Sequence, residues 1–264
     1  VLTGRRTSEL GFARAVVPLA AFGFLHAANE WMEMFQKIDE AIGRAPPSLF
    51  AEILRLAILV TSFLMLAIFG VTLLTPASLP RRKSHLLVGG MFVFWLGVTL
   101  VSWRIMQPTL QQGLILADNW SRYFLAIPAA LLASWAFLRQ QRTFREHGMP
   151  QFGRDLLWCA LALFLYGVVG QVFVRAVDFP PFRVLNGANF LLWFGLPIQL
   201  FRAILAGVLT FFLVRALRAF ELEEQRRLNH ANIARLAAQT TALETERRAG
   251  QQMERINAEL RLAT

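Results

Sequence analysis

Six stretches of about 20 mostly apolar residues, separated by short polar segments, limit what this chain can fold into more than any other feature. A helix needs that length to cross ~30 Å of hydrocarbon at ~1.5 Å per residue. The stretches lie at residues 12–35, 50–74, 86–106, 120–138, 156–174 and 197–220. With 56% hydrophobic and only 17% charged residues among 264, a soluble globular domain is a poor fit. The expected fold is all-α: a polytopic membrane helix bundle of six spans over residues 1–220, followed by a C-terminal cytoplasmic coiled-coil helix over 221–264.

The loops set the expected orientation, because Lys and Arg concentrate on the cytoplasmic side. Arg5, Arg6 and Arg14 precede the first span, "PRRKSH" (80–85) joins the second and third, and "RQQRTFREH" (139–147) joins the fourth and fifth. These are expected inside. "QKIDEAIGRAPPS" (36–48) is balanced and "QPTLQQGLILADN" (107–119) has no Lys or Arg, so both are expected as outer loops. Six spans then leave the N- and C-termini cytoplasmic, in a bacterial inner membrane. Between the last two spans, residues 178–195 are interrupted by Pro180 and Pro181 and are too short to span. They are expected to form an interfacial or re-entrant outer helix with Trp193 at headgroup level. The net charge of +10 sits mostly at the ends of apolar runs and in the tail, which points to membrane lipids as partners and not to nucleic acid.

Beyond Phe220 the chain has no proline, one glycine, and many Ala, Glu, Arg, Leu and Gln. That composition favours a long helix continuing from the sixth span. Ile233, Leu236, Thr240 and Leu243 follow 3-4-3 spacing, and Met253, Ile256, Leu260 and Ala263 repeat it, with a slip through Arg247 and Gly250. This pattern predicts a parallel two-stranded coiled coil and hence a homodimer. The chain begins at Val1 without a signal pattern, so it is expected to be part of something longer.

The polar residues of the spans carry the functional question, since an ionisable group at mid-membrane costs ~2.5 to 3.5 kcal/mol without a partner. His26, Glu30 and Glu33 are spaced by four and three, so they share one helix face, with Asn29 beside them. Other spans put polar groups toward the same expected outer half: Arg104, Asn119, Arg122, Gln171, Arg175, Gln199 and Arg202. Glu30 or Glu33 is expected to pair with Arg104 or Arg202. Three readings follow: a structural lock, an input pocket in which a ligand, ion or proton changes the pairing, or a metal held by His26 and Glu30. Of the four histidines, His85, His147 and His230 lie outside the apolar runs, so a bis-histidine haem lacks its second ligand. The single Cys159 excludes disulfides and thiol clusters within one chain, and reads as apolar filler. No sequence pattern assigns a cofactor. Neither HExxH, GxSxG nor a phosphate loop is present, so no residue is assigned a catalytic role.

With "FGFLHAANEWMEMF" (22–35), "RYFLAIPAALLASWAFLRQQR" (122–142) and "FGLPIQLFRAILAGVLTFFLVRALRAFELEEQRR" (194–227) in view, the chain resembles the N-terminal multi-span membrane sensor region of bacterial signalling proteins, chiefly sensor histidine kinases. The resemblance implies that a coiled coil leads to an output domain beyond Thr264, such as a kinase, cyclase or phosphatase. His230 lacks the acidic neighbour typical of a phosphoacceptor, so kinase chemistry is not expected in these residues. The expected function is sensory input and transmission through the sixth span. The alternatives are a transporter or intramembrane enzyme using Glu30 and Glu33, and a structural membrane subunit whose tail docks to a larger complex.

Overall fold

The computed structural model describes residues 2–75, 81–146 and 150–263, with side chains from Ala15 onward except 81–85, 150–151, 219–224, 226–227, 252 and 254–263. His147 and the Pro80 end of "PRRKSH" lie outside the described residues. So do the side chains of Arg5, Arg6, Arg14, His85, Ile256, Leu260 and Ala263.

The described chain is helical and has no strand; an isolated bridge joins Val174 to Asn186. In order the helices are α1 (Leu2–Ala41), α2 (Leu49–Leu74), α3 (Arg81–Met106), α4 (Leu110–Ser121), a π-helical turn (Arg122–Ala126), α5 (Ile127–Glu146), α6 (Pro150–Gly167), α7 (Val169–Val172), α8 (Gly187–Phe194) and α9 (Ile198–Ala263). Among the described residues, five helical stretches are long and apolar enough to cross a membrane: Leu49–Leu74, Leu86–Met106, Leu110–Glu146, Phe152–Val172 and Ile198–Arg218. The chain therefore reads as a multi-pass membrane protein. Helix α1 is not among the five over the residues whose side chains are described, Ala15 onward.

The chain divides into two compact units, 1–214 and 215–264. In the first, α1 and α2 pack along each other, joined by a turn in which Gly43 takes φ 73° and Ser48 caps α2 by accepting from the Ala51 N–H. A left-handed φ suits glycine because no Cβ opposes it. Helices α2, α5 and α6 then meet through small residues. Ala129, Ala130, Ala133 and Ala136 are buried, and a Cβ added at Gly70 would lie 2.9 Å from the Ala133 backbone nitrogen. Small side chains let helix backbones approach closely, which is how helices associate where lipid removes the hydrophobic drive. Phe63, Phe69, Phe137 and Leu163 fill the remaining core. The apolar residues of α3, and of α9 up to Val214, are largely uncovered, as lipid-facing positions should be.

One expectation is corrected by the start of α4. Residues 107–119 are not an outer loop: Gln107 turns the chain with φ 44°, Thr109 and Gln112 form a reciprocal capping box, and helix begins at Leu110. A capping box satisfies two orphan N–H groups at once, enough to start a helix in a polar stretch. The helix then runs through Asp118 and Asn119 into the membrane-length stretch Leu110–Glu146. Its π turn is closed by the Ile127 N–H donating to the Arg122 carbonyl five residues back. Pro128 accounts for the widening, since it has no N–H for the Phe124 carbonyl and its ring would crowd that carbonyl in a regular α turn.

The fifth apolar stretch is also interrupted. Helix α6 stops at Gly167, α7 adds one short turn, and the backbone is extended at Phe173. Within 178–195 only the eight residues of α8 are helical, started by the Asn186 side chain accepting from the Asn189 N–H and ended by Gly195 at φ 71°.

The second unit, 215–264, is helix throughout its described length. Leu228, Ile233, Leu236, Leu243 and Met253 are exposed along it. The Thr240, Thr241 and Thr245 hydroxyls donate to carbonyls three or four residues earlier, so these side chains are satisfied by their own helix.

Candidate functional site: a buried ion-pair network beside a cavity

Helical spacing aligns His26, Glu30 and Glu33 on one face of α1, and the fold buries that face against α2, the π turn and α9. Two branches start from it.

The first branch holds His26. Its ring lies among Phe22, Phe63 and Tyr166 at centroid distances of 5.3, 5.3 and 5.8 Å. Nδ1 is 3.1 Å from the Ser62 hydroxyl, which donates its only proton to the Leu59 carbonyl at 2.6 Å. Ser62 can therefore only accept, so Nδ1 is the donor. The other ring nitrogen, Nε2, faces Glu30 Oε1 at 3.5 Å. It has no hydrogen-bond partner there. Glu30 Oε1 also meets Arg202 Nη1 of α9 at 3.4 Å, while Arg202 donates through Nε to the Gly170 carbonyl at 2.7 Å and through Nη2 to that of Phe173 at 3.2 Å. Arg202 thus satisfies carbonyls left over where α7 ends, and ties α1 to α9.

The second branch centres on Arg122, the first residue of the π turn. It donates to Asp118 Oδ1 at 2.8 Å and to Gln171 Oε1 at 2.9 Å, and lies 3.5 Å from Glu33 Oε2. Glu33 is also paired with Lys37 at 2.8 Å. The second oxygen of Asp118 accepts from Arg55 of α2 at 2.7 Å, and Arg55 lies 3.5 Å from Glu52. Arg55, Asp118 and Arg122 are each at most 4% exposed. Buried charges are tolerated only when paired and hydrogen-bonded, as these are. Three hydrogen bonds clamp the surrounding backbone: Asn119 Nδ2 to the Arg175 carbonyl, the Tyr123 hydroxyl to that of Val172, and Trp95 Nε1 to that of Ala117.

Of the residues expected in the network, His26, Glu30, Glu33, Arg122, Gln171 and Arg202 come together. Gln199 is half-buried and lines the adjoining cavity. Arg104 does not join: it is exposed on α3 and takes part in no ion pair among the described residues, because the helix turns its side chain off the packed face. The Glu30–Arg202 pairing agrees with expectation, whereas Glu33 takes Arg122 and Lys37. Arg55, Asp118, Glu52 and Ser62 were not expected. Glu52 and Arg55, spaced i, i+3 at the head of an apolar span, were the available signal for α2. Asp118 was hidden by the loop assignment.

A metal has little to bind. His26 Nδ1 is committed to Ser62, Glu30 shares its oxygen with a guanidinium, and no group of three or more His, Cys, Asp or Glu suited to a metal occurs among the described residues. Cys159 is buried.

Beside the network lies a cavity of about 670 Å³. Glu33, Arg122, Gln199 and Arg202 reach its wall from the network side, Lys37 and Arg44 from the exposed end of α1 and the following turn. In comparisons with known proteins, the chain matches no family model, no curated protein and no solved structure.

Proposed function

We propose that this chain is the membrane sensory input and signal-transmission region of a bacterial signalling protein, chiefly of the sensor histidine kinase type. In this reading α1 is a sixth span, the cavity opens to the outer side of a bacterial inner membrane, and both termini are cytoplasmic. The helix beyond span six pairs with that of a second copy as a parallel coiled coil leading to an output domain beyond Thr264.

The single observation that carries the reading is the Glu30–Arg202 contact. It joins a buried, ionisable face of α1 to the same helix, α9, that extends to Ala263. Any input that changes the partner of Glu30 or Glu33 alters what holds α9 at Arg202. A few kcal/mol of differential interaction is enough to move a two-state helix arrangement.

The test reads the tail directly. With Cys159 replaced by Ala, Leu236→Cys or Leu243→Cys in membranes should form a disulfide between two copies under mild oxidation. Adding Arg202→Ala should change the extent of that crosslinking at least about two-fold while insertion is unaffected. In the full signalling protein the same substitution should uncouple stimulus from output. Absence of crosslinking, or crosslinking indifferent to Arg202→Ala, would overturn the reading.

A further inference from the structure

The wall of the 670 Å³ cavity carries five cationic side chains, Lys37, Arg44, Arg122, Arg175 and Arg202. Four have carboxylate partners: Lys37 has Glu33, Arg44 has Asp39 at 2.9 Å, Arg122 has Asp118 and Glu33, and Arg202 has Glu30. Arg175 has none among the described residues. Asp118, whose charge reaches Arg175, already gives one oxygen to Arg55 and the other to Arg122. The Arg175 backbone is held by Asn119 through its carbonyl, so the residue is positioned while its guanidinium is left uncommitted and half-buried. A solvated arginine needs no partner, but one lining a concave site with restricted water access gains most from an anion that fits its planar fork. Glu40, the wall carboxylate without an ion pair among the described residues, is exposed.

The rest of the wall says what the anion is attached to. Ile115, Phe173, Leu191, Pro197 and Ile198 present apolar surface, while Gln111 and Gln199 supply amides. Small-molecule sites typically occupy ~300 to 1,000 Å³, with mostly apolar walls and a few placed polar groups. This cavity falls within that size range, with a wall richer in charge. Its depth, moreover, reaches Glu33, Arg122 and Arg202, so an occupant would stand against both branches of the network.

We propose that the cavity binds an amphiphilic organic anion, with one carboxylate or phosphate head on Arg175 and an apolar body along Phe173, Leu191 and Ile198. The head competes with Glu30 and Glu33 for Arg202 and Arg122. Binding stands on the cavity alone; that binding is the sensory input rests on the function proposed above. Either the membrane or the surrounding solution can supply such a molecule, as an anionic phospholipid or as a free amphiphile.

The experiment uses the 264-residue chain in phosphatidylcholine nanodiscs, titrated calorimetrically with hexanoate and hexyl phosphate, with empty discs as blanks and hexylammonium as the opposite-charge control. Both anions should bind saturably at one site per chain, and hexylammonium should not. Arg175→Gln should weaken anion binding about ten-fold or more, and Arg175→Lys should restore part of it, because the charge remains while the fork is lost. Leu191→Glu, at an already exposed wall position, should weaken the anions by repulsion without disturbing the core, which covers the case in which Arg175→Gln fails to fold. Equal binding of hexylammonium, or anion affinities unchanged by both Arg175→Gln and Leu191→Glu, would overturn the proposal. Mass spectrometry of lipids retained from native membranes separates the sources. An anionic phospholipid held by the wild type and lost in Arg175→Gln assigns the membrane, and retention of none assigns the solution. If hexanoate binds but leaves Leu236→Cys crosslinking unchanged, the sensory function fails while this site stands.

Discussion

The two ends of α2 hold their neighbours by opposite means. Near its start, Arg55, which also lies 3.5 Å from Glu52 on the same helix, reaches across to Asp118 through an ion pair, next to a cavity. Near its finish, Leu66, Ala67, Phe69 and Gly70 are buried, with Phe69 5.1 Å from Phe137 and the backbone at Gly70 close against Leu132 and Ala133. Close-packed apolar interfaces have one good arrangement and resist deformation. In the network Glu33 is shared by Lys37 and Arg122, and Asp118 by Arg55 and Arg122, so a change at one partner is felt by the others. The packed end is suited to be a pivot, and the charged end to be what moves about it.

That contrast can be broken at either end. Asp118→Ala should have the largest effect, about 3 to 5 kcal/mol, because it removes the nearest carboxylate from two buried guanidinium groups. Thermal unfolding in detergent should show a clear loss, and an unchanged midpoint would mean that water already reaches Arg55 and Arg122. Gly70→Val overpacks the other end and should cost about 1 to 3 kcal/mol. It should lower the melting temperature while leaving the effect of Arg202→Ala on tail crosslinking intact; loss of both would show that the two ends are one unit. Tyr123→Phe removes the bond to the Val172 carbonyl and should cost about 0.5 to 1.5 kcal/mol, read in the same melts. Arg104→Ala, on the exposed face of α3, should stay within about 0.5 kcal/mol and leave crosslinking unchanged. A response matching that of Arg202→Ala would return Arg104 to the network.

Much of the packed end was legible in advance, because length and apolarity alone mark residues 50–74 and 86–106 as membrane-length helices, and the structure gives Leu49–Leu74 and Leu86–Met106. The charged end was legible only by half. The spacing of His26, Glu30 and Glu33 announces a shared face, and any arginine near a span end is a partner in principle. Arg104, Arg122 and Arg202 look alike in a linear chain, yet only the helix rotation decides that two face inward and one faces out. Asp118 was lost for a different reason: polar residues at 107–119 imitate a loop, and only the partners waiting on α2 make a helical aspartate tolerable there. Pro128 did carry a sign of the irregular turn before it, since a proline inside an apolar helix always leaves a carbonyl to be accommodated.

That turn also decides how the site is aimed. A π turn is an α-helix with one residue too many, so everything before it is offset by ~100° from where a regular helix would put it. Pro128 pins the offset, because moving it along the helix would return the proline to a regular α turn against the Phe124 carbonyl. Arg122 is thereby held on the face from which it meets Asp118, Gln171 and Glu33. The residue joining α1, Asp118 and Gln171 thus sits on the one peptide segment of Leu110–Glu146 whose handedness is regular but whose count is not.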